Sequence, residues 1–111
     1  TYPLILAKIP VKNPWEIFAY LPFGNWNDCP DTPELMAAAK YWFQQHGAIP
    51  AAMSHDELEF ELPTPISKER AMEVAVEQYG FCPDLDQNED GSIGSLAAVL
   101  WQSTVWYFWW D

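Results

Sequence analysis

The sequence is poor in basic residues, with 5 Lys and Arg against 16 Asp and Glu, so its net charge is −11 at neutral pH. Such a chain repels the phosphates of nucleic acids and of anionic membranes, and we expect it to bind neither. Its charge instead favours cations and basic proteins. The plain alternative is that the acidic side chains keep an aromatic-rich protein in solution.

Cysteine, long apolar runs and the common catalytic signatures are also scarce. The 2 cysteines, Cys29 and Cys82, do not form a disulfide framework, which favours a reducing cytoplasm. We find no apolar run long enough for a membrane helix and no signal-peptide pattern. A glycine-rich phosphate loop, a G-x-S-x-G elbow and an H-E-x-x-H motif are absent as well. The chain begins at Thr1 without Met, and we expect it to be part of a longer protein.

Aromatic residues, by contrast, are plentiful. The 111 residues include 7 Trp, 5 Tyr and 6 Phe, and 50% of all residues are hydrophobic. This length and composition predict a single folded domain over residues 1–111. Because Trp is rarely buried completely, we expect some indoles to line a pocket or an interface. An unusually aromatic core is the alternative.

The last segment, residues 104–111, reads TVWYFWWD and carries the densest aromatic run. It is too short to span a bilayer, and alternate residues of a strand point to opposite faces. Since both alternating sets are apolar, the run predicts a strand that is buried on both faces. We expect residues 15–26 to cover one of those faces.

The other elements follow from apolar periodicity and from capping residues: Asn13, Asp31 or Thr32, and Ser67 are predicted to start helices, and Gly47 to end one. The predicted order is a strand at 2–9, a helix from Asn13 to about Leu21, a helix from 31 or 32 to 46, strands at 48–54 and 57–62, a helix at 68–79 closed by Gly80, a short helix at about 93–102, and the strand at 104–111. Without the two short helices this is β-α-β-β-α-β. The order predicts an α+β fold with a ferredoxin-like, four-stranded antiparallel sheet, in which the first and last strands pair.

The polarity of two elements predicts which side they bury. In residues 57–62, Leu58, Phe60 and Leu62 alternate with glutamates, which indicates one buried and one solvated face. In the helix at 68–79, a helically spaced apolar set predicts the buried stripe. That set is Met72, Ala75, Val76 and Tyr79.

One acidic loop resembles half of a calcium site. Asp86, Asn88 and Asp90 occupy positions one, three and five of an EF-hand loop, with Gly91 at its sharp turn. Position twelve, which needs a bidentate Glu, is Ala97. Any calcium affinity should therefore fall to roughly millimolar, and an acidic loop with Asx turns is the alternative.

A second group, Cys29, Cys82, His46 and His55, contains the residue types of a zinc site or of a thiol nucleophile with a histidine base. Its spacing matches no standard zinc motif. Both cysteines stand in a Cys-Pro-Asp triplet, and a metal, disulfide or thiol pair requires the two loops to meet. Two buried structural thiols are the alternative. Nearby carboxylates would also raise the pKa of a thiol and oppose its activation.

Four motifs resemble one bacterial family, number 4253 in the series of domains of unknown function. They are AYLPFGNWNDCP at 19–30, SHDELEF at 54–60, EQYGFCPD at 77–84 and YFWWD at 107–111. The resemblance implies a bacterial, C-terminal domain without an established activity. It implies a candidate site of polar residues among aromatics, with Trp26 beside them. These residues are Trp26, Asn27, Cys29, His55, Asp56, Cys82, Asp84 and Asp111.

Two functions from different classes are consistent with these features. The first is an acidic, aromatic-rich binding module, accessory or immunity-like, for a basic protein partner. The alternative is a metal- or thiol-dependent enzyme domain centred on Cys29, Cys82 and His55. We expect no resident cofactor beyond a weak calcium or zinc site, and homo-oligomerisation stays open.

Overall fold

The computed structural model describes residues 12–20, 30–54, 57–82 and 93–110. Helices and strands are mixed along the chain, as in an α+β domain. The elements are a 3₁₀ helix Pro14–Ala19, α1 Thr32–His46, β1 Ile49–Met53, β2 Glu57–Glu61, α2 Lys68–Phe81, α3 Ile93–Leu100 and β3 Val105–Trp109. Within these ranges no helix combines the length and the apolarity that a bilayer crossing requires.

The ends of α1 are set by the residues that the sequence indicates. The Asp31 carboxylate accepts a hydrogen bond from the backbone N–H of Glu34 at 3.1 Å, which caps an otherwise unpaired donor of the first turn. Gly47 closes the helix at φ 75°, and its N–H donates to the carbonyl of Phe43 at 2.8 Å. A left-handed residue at this position favours glycine. The predicted helix is confirmed.

The first predicted helix is present as the shorter 3₁₀ helix Pro14–Ala19, and it lacks the expected N-cap bond. The Asn13 side chain makes no capping bond to the backbone; its amide donates to Glu16 Oε2 at 2.8 Å. Glu16 in turn accepts from the backbone N–H of Lys12 at 3.2 Å. The Asn13 bond is the main reason why the pKa of Glu16 lies below its usual value.

The helix α2 extends past its predicted end and presents a different face to the core. It begins after Ser67, whose hydroxyl accepts from the backbone N–H of Arg70 at 3.3 Å, and it continues through Gly80 to Phe81. The buried residues are Ala71, Val74, Ala75 and Gln78. This set lies one position before the predicted stripe, a rotation of about 100°. Ala71 and Ala75 are thus in the core, whereas Met72 and Val76 are exposed.

The sheet is antiparallel in the order β1-β2-β3. The predicted hairpin is confirmed, with Ile49 opposite Glu61 and Met53 opposite Leu58, and an irregularity between Pro50 and Ala52. β3 pairs with the other edge of β2 along its full length, from Glu57 opposite Trp109 to Glu61 opposite Val105.

This pairing overturns the predicted ferredoxin-like arrangement of four strands. That arrangement would place the first strand of the chain between the strands that correspond to β2 and β3. Here β2 and β3 are hydrogen-bonded directly, and the sheet in the described ranges has three strands. The predicted first strand, residues 2–9, lies outside the described residues. Element order alone could not distinguish which strand edges pair, because pairing is a long-range contact.

The prediction that the aromatic strand is buried on both faces is wrong. Trp106, Phe108 and Trp110 are almost fully buried, but Val105 and Tyr107 are 42% and 43% exposed. The exposed set lies on the face of β2 that carries Glu57, Glu59 and Glu61, of which Glu61 is exposed and the other two are half-buried.

The expected cover of residues 15–26 is also incomplete. Trp15 packs against Phe43 of α1, at 5.5 Å between ring centroids. Residues 21–26 of that segment lie outside the described residues.

Trp42 of α1 lies at the centre of the core. Its ring stacks on Phe108 at 5.5 Å and 5° between planes, and edge-to-face contacts at 5.0 to 5.6 Å join it to Phe60, Phe81 and Trp106. Its indole N–H donates to Glu77 Oε1 on α2 at 3.1 Å. The same side chain thereby links both long helices with β2 and β3.

We expect Glu77→Ala to lower the free energy of unfolding by about 1–3 kcal/mol, because it leaves the indole N–H of the buried Trp42 without an acceptor. Urea denaturation measures the loss. Glu77→Gln keeps an acceptor oxygen and should lose less.

Glu69→Ala is the matched control, since Glu69 is an exposed residue on the same helix. Equal stabilities of Glu77→Ala and Glu69→Ala would show that the Trp42–Glu77 bond contributes nothing.

Candidate functional site

Two of the residues predicted for a site, Cys82 and His46, fall within the described ranges. The others lie outside them, and the sites that they define stay predictions. These are Trp26, Asn27, Cys29, His55, Asp56, Asp84 and Asp111, and the calcium candidates Asp86, Asn88 and Asp90.

Cys82 follows the last turn of α2 and is completely buried. Its backbone N–H donates to the carbonyl of Gln78 at 2.8 Å, and its thiol donates to the carbonyl of Trp109 at 3.0 Å. A thiol that acts as a nucleophile is normally partly exposed and close to a positive charge. The described part of Cys82's surroundings is that of a structural cysteine, so it does not favour the thiol-enzyme alternative.

The described neighbours of several predicted site residues lie at one end of the sheet. Trp109, the carbonyl partner of Cys82, is opposite Glu57, and the backbone N–H of Ser54 donates to the carbonyl of Glu57 at 2.9 Å. Ser54 and Glu57 flank the predicted residues His55 and Asp56 in the sequence.

The sheet surface that faces away from the helices combines acidic and aromatic side chains in register. Glu57 is opposite Trp109, Glu59 is opposite Tyr107, and Glu61 is opposite Val105. We call these six residues the acidic sheet face. Directly opposite side chains on one face of a sheet lie within contact distance, so each carboxylate has an apolar neighbour.

Polar contacts fix one end of the acidic sheet face. The Tyr107 hydroxyl donates to Glu57 Oε2 at 2.6 Å, and the Ser54 hydroxyl donates to Glu57 Oε1 at 3.1 Å. Beside them is a shallow depression of about 240 Å³. Its lining residues are Ala52, Met53, Ser54, Glu57, Glu59 and Tyr107.

The basic side chains of the described ranges lie elsewhere. The Lys40 ammonium is 5.7 Å from the ring centre of Trp15, and that of Lys68 is 5.4 Å from Trp101. Arg70 pairs with Glu73 at 3.3 Å. No ion pair joins Glu59 or Glu61 to a basic residue in the part of the chain that the structure describes. Among the described residues, their negative charge therefore has no ion-paired counter-charge.

The sequence of β2 by itself indicates only that Glu59 and Glu61 belong to the solvated face of a strand. It does not show which strand lies beside them. The alternation of glutamates in residues 57–61, set against alternating apolar residues in 105–109, was the available signal. This signal can be interpreted only when the register of β2 against β3 is known.

A second polar group lies between α1 and α2, around His46. Its ring is 5.7 Å from that of Trp106, and its Nε2 is buried without a hydrogen-bond partner among the described residues. Burial lowers the pKa of His46, and the charge of Arg70 lowers it further, while Glu77 and Glu73 oppose the shift.

His46 and Cys82 contact opposite ends of β3, at Trp106 and at Trp109. Three residues of a strand span about 10 Å, so the two side chains contact well-separated parts of the sheet. Across the four described ranges, no three His, Cys, Asp or Glu side chains are grouped so that they could hold a metal ion.

We expect His46 to make the protein less stable as the pH falls from neutral to about 5. Below pH 6.5 an imidazole in the unfolded chain takes up a proton, whereas the lowered pKa of His46 delays that step in the folded protein. Proton uptake therefore favours the unfolded state over this interval. Melting temperatures at both pH values measure the loss, and His46→Gln should show a smaller one.

His46→Gln is also the control for the titration of carboxylates, because it removes His46 and keeps every Asp and Glu. An NMR titration gives an independent readout of the same group. A His46 imidazole that titrates at or above pH 6.5 in the folded protein would contradict the assignment.

Comparison with known proteins adds a family and no activity. A family model described as a domain of unknown function, DUF4253, matches residues 5–111. No curated protein matches the chain, and neither does any solved structure. The match extends over all four motifs on which the resemblance was based, and it confirms that resemblance. The protein belongs to the DUF4253 family.

Proposed function

We propose that this domain is a cytoplasmic binding module, accessory or immunity-like, that holds a basic protein partner on its acidic sheet face. The observation that carries the proposal is the row of carboxylates on β2, where Glu59 and Glu61 have no basic neighbour in the described ranges and lie beside the exposed Tyr107 and Val105. Unpaired surface charge beside exposed aromatic area is what a charged partner recognises.

The net charge of the whole chain, −11, supports a partner of positive charge. A field of this strength attracts a positively charged protein before contact and accelerates its association. Because the interaction is electrostatic, salt should slow association and weaken binding. The same charge opposes a nucleic-acid partner.

The spacing of the carboxylates indicates which backbone conformation of a partner would match them. Glu57, Glu59 and Glu61 are alternate residues of one strand, so they repeat about every 7 Å along it. Lysines or arginines at alternate positions of an extended segment repeat at the same distance. We infer that the partner presents its basic residues on an extended strand or on the edge of a sheet.

The aromatic row adds contact area to the charge. Tyr107 is 43% exposed, and its hydroxyl donates a hydrogen bond to Glu57 Oε2, so an aromatic ring borders the row of carboxylates. Stacking of a cation on an aromatic ring contributes about 0.5–1 kcal/mol at an exposed site. Tyrosine is also among the residues that most often dominate interface energetics.

The proposal predicts that the double variant Glu59→Gln/Glu61→Gln binds a basic extended peptide about tenfold more weakly, since two uncompensated charges are lost. The probe is a short fluorescent peptide in which lysine alternates with threonine. Fluorescence anisotropy over a range of salt concentrations gives the dissociation constant and its salt dependence.

Glu34→Gln/Glu69→Gln is the control, because it removes the same charge from exposed positions on α1 and α2. It should reduce affinity much less than the sheet variant. If both double variants weaken binding equally, only net charge is at work and the assignment of the acidic sheet face is wrong.

A further inference from the structure

The shallow depression on the acidic sheet face is lined by two carboxylates that differ in their contacts. Glu57 accepts hydrogen bonds from the hydroxyls of Tyr107 and Ser54. The side chain of Glu59 makes no hydrogen bond and no ion pair with any residue in the described ranges, although this residue is half-buried. A carboxylate that is partly withdrawn from water interacts more strongly with a cation than a fully exposed one does. The depression thus contains one carboxylate that a ligand can neutralise.

The depression exists because the two neighbours of Glu59 differ in size. Ala52 of β1 is opposite Glu59 on one side, and Tyr107 of β3 is opposite it on the other. The register of β1 shifts between Pro50 and Ala52, so that Ala52 rather than Ala51 lies opposite Glu59. Such a bulge redirects the side chains beside it. A methyl group at this place leaves open the space that a larger side chain would fill.

The size of the depression suits a single side chain. Its volume is about 240 Å³, below the range of about 300–1,000 Å³ that is typical of pockets for small-molecule ligands. It is also open to the surface on which we place the partner, because its lining includes residues of the acidic sheet face. One side chain that projects from a bound segment can therefore enter it.

The chemistry of the lining favours arginine as that side chain. A guanidinium group is planar, presents paired N–H donors that match the two oxygens of a carboxylate, and stacks on aromatic rings. Glu59 supplies a carboxylate without a partner, and Tyr107 supplies an aromatic residue beside it. A lysine ammonium is a point charge without a planar surface, so it uses only the first of these features.

We propose that the depression binds one arginine side chain of the basic partner, with the guanidinium paired to the Glu59 carboxylate and packed against the Tyr107 ring. The inference rests on the proposed function, because it assigns one contact of the same partner. It adds a preference for arginine over lysine at the partner position that faces Glu59.

Glu61 provides a comparison on the same strand. It is exposed, its neighbours across the sheet are Val105 and Ile49, and it does not line the depression. A cation beside Glu61 is attracted by charge but meets no aromatic ring, and exposed ion pairs contribute little to affinity. We therefore expect Glu61 to accept lysine and arginine equally.

The test compares two short fluorescent peptides of equal length and charge, one that alternates lysine with threonine and one that alternates arginine with threonine. The unaltered domain should bind the arginine–threonine peptide about fivefold more tightly. Fluorescence anisotropy at one salt concentration gives both dissociation constants. Because the two peptides carry the same charge, the ratio of these constants removes the contribution of long-range attraction.

Two variants should remove the preference through different features of the depression. Glu59→Gln removes the charge and Ala52→Leu fills the space, and each should bring the ratio close to one. Ala52 is exposed, so the fold should tolerate a larger side chain there, and circular dichroism verifies that each variant is folded. Glu61→Gln is the matched control, because it removes the same charge from the same strand. It should weaken both peptides alike and keep the ratio.

Equal affinity of the unaltered domain for the two peptides would overturn the inference. The proposed function would still stand in that case if Glu59→Gln/Glu61→Gln weakens the binding of both peptides. A ratio that survives Glu59→Gln or Ala52→Leu would also overturn the inference, since arginine would then be recognised elsewhere. If the unaltered domain binds neither peptide, the proposed function is wrong and the arginine contact is wrong with it.

Discussion

The structure depends on the position of one indole. Trp42 stacks on Phe108 of β3, meets Phe60 of β2 edge-on and donates its N–H to Glu77 of α2. A buried Trp must pack its large ring and also place its N–H against an acceptor, so few positions in a packed interior suit it. Its placement therefore fixes α1 and α2 relative to the sheet.

Local signals predicted the parts of this fold that are local. Asp31, Gly47 and Ser67 mark helix ends where the structure has them, because each acts on backbone groups a few residues away. The position of β3 beside β2 is a contact between distant segments, and the order of elements favoured a different pairing. The face of α2 was misassigned for a related reason: Gln78 is buried and Met72 is exposed, against their polarity.

For the candidate site, too, the sequence indicates individual residues but does not indicate surfaces formed by the pairing of distant segments. The resemblance placed the site among polar residues of several loops, and Cys82, its described member, is buried against the carbonyl of Trp109. The acidic sheet face needs no special residue type. It exists because β3 places Tyr107 beside the half-buried Glu59 and Val105 beside the exposed Glu61. A property of paired strands cannot be predicted from either strand alone.

Because the acidic sheet face consists of outward-facing residues, it can be substituted without altering the core. The residues of β3 that hold the core together, Trp106, Phe108 and Trp110, alternate with those that face outward. Substitutions at the outward positions change the charge and the shape offered to a partner without changing the aromatic contacts around Trp42. For the proposed binding function this separation matters, because the recognition surface can change while the core stays the same. The buried half of the strand maintains the fold, and the outward half determines the surface beside the glutamates of β2.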